Sequence, residues 1–146
     1  MIQFYSSKEK PYGAFSNFAR YPIVVDGLTW ANSEACFQSR KFLDPELQER
    51  VRLAPTPMEA ANIGRDRSLP LRPDWDQIKN KVMYRAVMAK FTQHSDLLML
   101  LLGTDAEHLV EHTTNDSYWA DGGDGSGKNV LGLLLMVVRN QLRQMV

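Results

Sequence analysis

Cysteine is nearly absent from this chain. Cys36 stands alone among 146 residues, so no disulfide can close within the chain and no multi-cysteine metal centre can be built. A lone thiol fits a reducing compartment, a cytoplasmic location is the expectation, and Cys36 itself reads as a core residue. Net charge is absent too. Lys plus Arg and Asp plus Glu number 17 each, which leaves no overall field to hold nucleic acid non-specifically or to bind an anionic membrane. Any anionic ligand must therefore be met locally. Long apolar runs are also missing: Leu97 to Leu102 and Val130 to Val138 are too short to span a bilayer and read as core. The opening Met-Ile-Gln-Phe-Tyr has neither a basic stretch nor a long apolar run, so no leader is expected there.

Histidine is scarce. His94, His108 and His112 include one His-x-x-x-His pair, which lacks the His-Glu-x-x-His arrangement and an evident third ligand, so no metal and no cofactor are expected. The string Gly122-Gly-Asp-Gly-Ser-Gly-Lys-Asn129 also lacks the phosphate-loop register, because Asn129 follows Lys128 where Ser or Thr would be needed. Two readings of it remain: a glycine-rich turn whose N–H groups cradle a phosphate or sugar oxygen, and an ordinary flexible loop.

What is present, 44% apolar and 23% charged residues, is the balance of an ordinary globular protein, and the length suits one domain spanning 1–146. Ile2 to Tyr5 reads as a short strand, and Pro22 to Trp30 as a hairpin turning at Asp26-Gly27. Tyr12 to Phe18 reads as an aromatic loop. After Trp30 the pattern turns helical: Asp44-Pro45 and Thr56-Pro57 are start signals, and Gly64 is a helix stop. Asp74 starts a longer helix to about Thr92, Ser95 a compact one to about Gly103, and Asn129 a last one to about Met145. His108 to His112 reads as extended, and Asp116 to Gly127 as a glycine-rich loop.

The feature richest in chemistry is the segment Asn32 to Phe42. At about 100° per residue, Glu34, Gln38 and Lys41 fall within roughly 60° of one another on one helical face. Phe37 flanks that stripe on one side, and Ala35 and Phe42 on the other. A solvated stripe and a half-buried catalytic row both fit this pattern. Glu111 and Asp116 flank His112 and precede Tyr118-Trp119, where an aromatic neighbourhood can shift a carboxyl toward acid–base work.

Taken together these segments resemble the NADAR family, which includes N-glycosidases of riboflavin-biosynthesis intermediates and ADP-ribosyl-guanine glycohydrolases. The resemblance is carried by Phe15-Ser-Asn-Phe18, Asp26-Gly27, Trp30, Glu34, Phe37-Gln38, Lys41, Ala60, Gly64-Arg65, Trp75, Met83 and Lys90-Phe91. It continues through Leu109-Val-Glu111, Asp116, Trp119, Gly127-Lys-Asn-Val-Leu-Gly132, Leu135-Met136 and Arg139. Two departures stand out: Ala35-Cys36 where members often carry Tyr or His beside the helix Glu, and Ala120 where Gly often follows the loop Trp. The resemblance implies a compact, mostly helical α+β fold with a few short strands near the N-terminus, and cleavage of a glycosidic C–N bond. It implies Glu34 and Lys41, with Glu111 and Asp116, as catalytic residues. Phe15, Asn17, Phe18, Gln38, Trp75 and Trp119 are implied around a base or ribose, and Arg65, Lys128 or Asn129 near phosphate. The partner implied is a small phosphoribosyl or ADP-ribosyl substrate, with nucleic acid only as a modified substrate, no membrane, and an oligomeric state left open.

Overall fold

The computed structural model describes residues 1–146 and shows an α+β fold dominated by helices. Its strands are β1 (Ile2–Phe4), β2 (Ile23–Val25), β3 (Leu28–Trp30) and β4 (Leu109–Glu111). The helices are α1 (Ser33–Ser39), α2 (Pro45–Arg52), α3 (Pro57–Gly64), α4 (Trp75–Gln93), α5 (Ser95–Leu102) and α6 (Val130–Met145). The chain divides into two compact units, one of residues 1–16 and 91–146, the other of residues 17–90, and α4 runs through the point of division.

In the 17–90 unit, β2 and β3 form an antiparallel hairpin that pairs Val25 with Leu28. Asp26 and Gly27 turn it with φ of 54° and 78°, the left-handed pair that matches strand twist in a two-residue turn. Each of the next three helices is capped by a side chain at its start, and for α2 and α3 this is the start the sequence announced. Asn32 accepts from Ala35 N–H, Asp44 from Glu46 N–H, and Thr56 from Glu59 N–H, with Pro first in α2 and α3. α1 packs on both α2 and α3, around a core that includes Ile23, Trp30, Phe42 and Val51. No residue of α1 faces open solvent. The apolar pattern of α4 conceals one polar member, because Lys90 lies on its buried side with Met83, Ala86 and Val87.

In the other unit, β1 and β4 pair in parallel, Ile2 with Leu109 and Phe4 with Glu111. Residues 12–15 form a short 3-10 turn rather than the loop expected from their aromatic and small residues. α6 packs on β4 and α5. At Gly132 an added Cβ would lie 2.1 Å from the Leu109 carbonyl oxygen, so this helix reaches the strand only through a residue without a side chain. α5 starts at Ser95, where it is expected, with His94 at the cap position before it.

Candidate active site

The polar row of α1 is buried. Glu34 is 6% exposed and Gln38 2%, so the stripe is not a solvated one. The α-helix stops at Ser39, short of the expected Phe42. The chain then tightens: Arg40, Lys41 and Phe42 donate their N–H groups to residues three back, Phe37, Gln38 and Ser39. Lys41 therefore leaves the helix end while remaining in the electrostatic reach of Glu34.

Its ammonium end is set by groups from three places. Nζ donates to the Gly64 carbonyl at the end of α3, 3.3 Å away. It also lies 5.8 Å from the Phe37 ring centre and 5.9 Å from that of Trp75, two rings that meet edge to face at 5.2 Å. Burial lowers the Lys41 pKa; Glu34 opposes that shift, and the nearby cations Arg65 and Lys79 add to it. A lysine so placed holds more free amine at neutral pH than an ordinary one, which is what a nucleophile requires.

Glu34 receives a 2.6 Å hydrogen bond from Gln38 Nε2. Its backbone N–H donates to the Asn17 carbonyl at 3.3 Å. The Asn17 side chain accepts from Ser33 Oγ at 2.8 Å and donates to Met83 Sδ at 3.2 Å. Asn17 thus fixes the start of α1. Phe18 is half-buried, Trp75 is buried, and Arg65 is exposed at the cap of α3.

The other unit holds the remaining expected residues. Phe15 is 1% exposed in an aromatic cluster with Phe4, Tyr12 and Phe91, and belongs to that unit's core. Glu111 ends β4, half-buried. Asp116 Oδ1 accepts from the N–H groups of Tyr118 and Trp119, both at 2.8 Å, which shapes the turn that carries those rings. Trp119 is half-buried and meets Tyr118 edge to face at 4.9 Å. Lys128 is exposed, with Nζ 5.6 Å from the Tyr118 ring centre. Asn129 is buried, and its amide bridges backbone: Nδ2 donates to Leu109 O at 2.9 Å and Oδ1 accepts from Glu111 N–H at 3.0 Å.

Two residues with clear structural work were not singled out by sequence reasoning as part of the site. Asp121 accepts from Thr113 N–H, Gly123 N–H and, at 2.7 Å, the His112 ring. The His112 bond comes first among the causes that hold its carboxyl below the usual range. Asp121-Gly-Gly carried the signal, since Asp before Gly favours a turn closed by its own side chain. Gly64 ends α3, as expected of a helix stop, but with ordinary helical backbone, and it also leaves room for Gln38. Asp121, His112, His108, Lys128 and Asn129 line a cavity of about 520 Å³.

The NADAR domain model matches residues 3–143 and takes in residues of both units. The chain belongs to the NADAR family. It is 56% identical over 142 residues to N-glycosidase YbiA of Escherichia coli (strain K12), covering 97% of this chain and 88% of that one. It is 40% identical over 140 residues to N-glycosidase Npun_R5314 of Nostoc punctiforme, covering 94% and 90%. The Riboflavin biosynthesis protein VVA0006 of Vibrio vulnificus is 40% identical over 143 residues, 98% of this chain but 39% of that one. The NMR structure of E. coli YbiA superposes with a TM-score of 0.92 at 55% identity, covering 99% of this chain and 85% of that one.

Proposed function

We propose that this chain is a hydrolase of N-glycosyl compounds that cleaves the C–N bond of phosphoribosylamino-pyrimidine intermediates of riboflavin biosynthesis. Its products are ribose 5-phosphate and the pyrimidine amine. N-glycosidase relatives at 56% and 40% identity support the reaction class, and the riboflavin-biosynthesis name of a third relative supports the substrate class. The observation that carries the chemistry is Lys41: a partly buried amine with a lowered pKa, in the field of a buried carboxyl group on the same short segment.

In such a substrate the sugar C1 is bonded to an exocyclic amine, and opening of the sugar ring gives a C1=N imine. The Lys41 amine adds to C1. Glu34 carries one proton from the lysine nitrogen to the exocyclic nitrogen as the C1–Nζ bond forms and a second as the intermediate collapses, so the C1–N bond to the pyrimidine breaks and the pyrimidine leaves as a neutral amine. The sugar stays on Lys41 as an imine. Water adds to C1, the C1–Nζ bond breaks, and the aldehyde recloses as ribose 5-phosphate with Lys41 and Glu34 restored. One water is consumed. Arg65, whose field acts on Lys41, is assigned to the 5′-phosphate, for which a guanidinium fork is well shaped. Trp75 and Phe37 supply the apolar wall beside the reacting carbon. Glu111, Phe18, Trp119 and Lys128 keep the parts the family resemblance implies, while Phe15, Asn17, Asp116 and Asn129 are assigned supporting parts, Phe15 in its unit's core, Asn17 at the start of α1, and Asp116 and Asn129 in the loop that carries Trp119 and Lys128.

The test is incubation of the purified chain with a phosphoribosylamino-pyrimidine and, separately, with ADP-ribosyl-guanine, followed by chromatography of the released base. Release of the pyrimidine amine at catalytic rates is expected. Release from the guanine compound alone would move the substrate class, and intact recovery of both compounds would refute the glycosidase reading.

A further inference from the structure

We propose that Gln38 is a positioning residue for the Glu34 carboxyl, one whose amide turns over as Glu34 gains and loses its proton. The inference rests on Glu34 as the proton carrier of the reading above.

It starts from an imbalance within one side chain. Nε2 of Gln38 donates to Glu34 Oε2 at 2.6 Å, the short contact of a donor on a charged acceptor. At the other end of the same amide, Oε1 is sealed from solvent and has no hydrogen-bond partner, alone among the buried side-chain polar atoms in this respect. Folded proteins rarely leave such an atom unpaired. The unpaired oxygen faces Gly64. A Cβ built there would lie 2.0 Å from Oε1 and 2.7 Å from Cδ, so only glycine admits Gln38 in this pose. The carbonyl of that same glycine takes the Lys41 ammonium, which makes Gly64 a common support for the two residues.

An amide offers a donor at one end and an acceptor at the other. Opposite an ionised carboxylate the donor must point inward, and the acceptor is left without a partner. Opposite a protonated carboxyl the preference reverses, because the O–H group then donates and Oε1 receives it. The terminal torsion of glutamine is broad and close to two-fold, so the exchange needs no backbone movement. A carboxyl that takes a proton in one step and returns it in the next thus keeps a partner in both states. Methionine at position 38 would serve neither state, and glutamate would compete for the same proton.

Beyond the end of α1 stand Lys41, on which Arg65 after α3 and Lys79 on α4 act, together with Arg40 and Arg72, which are paired with Asp26 and Asp74. On α2, Glu49 and Arg52 close on each other, and β3 carries no ionisable side chain. Lys41 titrates as well, so the experiment must separate it from Glu34.

The experiment follows the Gln38 side-chain NH₂ resonances of the ¹⁵N-labelled full chain against pH, in wild type, Glu34→Gln and Lys41→Met. A single inflection is expected in wild type and Lys41→Met, and a flat response in Glu34→Gln. In parallel, the pH profile of Gln38→Met is compared with that of the wild type. The acid limb of the variant's kcat/KM profile should move to higher pH by about one unit, the size expected when a carboxylate loses one donor. A Gln38 amide that stays flat across the range where the wild type is folded overturns the proposal. So does an inflection that persists in Glu34→Gln. The titration uses no substrate, so an inflection without turnover of either glycosyl compound would sink the glycosidase reading and leave this one standing.

Discussion

Asn129 and Gln38 are both buried amides next to a helix or within one, and the fold treats them differently. Asn129 has each end of its side chain matched to backbone, at Leu109 and Glu111, and it enters α6 in the left-handed region with φ of 52°. Gln38 has one end on a carboxyl group and the other on nothing. The same contrast runs through their surroundings. In the glycine-rich loop Asp116 and Asp121 hold their own turns through backbone N–H groups. Beside α1, Glu34 and Lys41 meet each other's field, an amide and two aromatic rings. Polar groups satisfied by backbone stabilise a shape, whereas those whose partners are other reactive side chains remain available for chemistry.

Breaking the α1 side of this contrast should have the largest effect on turnover. Glu34→Gln preserves shape and removes proton transfer, so kcat should fall by ~10²–10⁴-fold with KM changed only modestly. Steady-state kinetics on the pyrimidine substrate check this, and near-normal kcat would take Glu34 out of the mechanism.

The loop side should break differently. Asn129→Ala removes both backbone bridges and puts alanine, which tolerates the left-handed region less well than asparagine, at a positive φ, so the chain should lose about 1–3 kcal/mol of stability. Asn129→Gly loses the same bridges but not the backbone freedom, and should lie between wild type and Asn129→Ala in urea denaturation. If both variants are as stable as wild type, the amide is not the staple its bonds suggest.

Lys90 extends the contrast to a buried charge. It is 1% exposed, its Nζ lies 5.8 Å from the Tyr21 ring centre, and burial lowers its pKa to about 7. An unfolded lysine titrates near about 10.4. Between these values the unfolded chain holds a proton that the folded chain lacks, so this residue's contribution makes stability rise with pH. Below about 7 it is protonated in both states and its penalty is full. Lys90→Met should therefore raise Tm relative to wild type at pH 6, and the gap should narrow toward pH 10. A gap independent of pH would mean that Lys90 keeps its proton in the folded chain across this range.

Much of this contrast was legible in the sequence, for local reasons. The caps Asp44 and Thr56, each followed by proline, and the Asp26-Gly27 turn are short-range signals, and the elements they announce form where expected. The Glu34, Gln38 and Lys41 stripe was legible because helical periodicity alone puts it on one face. Its burial was not, because periodicity cannot tell a solvated polar stripe from one covered by α2 and α3. The end of α1 at Ser39 escaped for a similar reason, since no glycine or proline marks the place where the turns tighten. Lys90 was hidden by its own type, a lysine inside the buried side of a long helix. Gly64 was legible as the end of α3 but not as the place Gln38 fills, because sequence shows a missing side chain and not the amide that takes its space.

The central claim is that Lys41 forms a covalent imine with the sugar, and borohydride trapping tests it most directly. Quenching the enzyme during turnover and mapping it by peptide mass spectrometry should find a reduced ribose phosphate fragment on Lys41. Lys41→Arg, which keeps the charge but cannot act as a nucleophile, should give neither adduct nor product. Substantial turnover by Lys41→Arg, with no adduct on the wild type under conditions that trap a known imine enzyme, would contradict the claim and leave direct attack by water, activated by Glu34, as the better account.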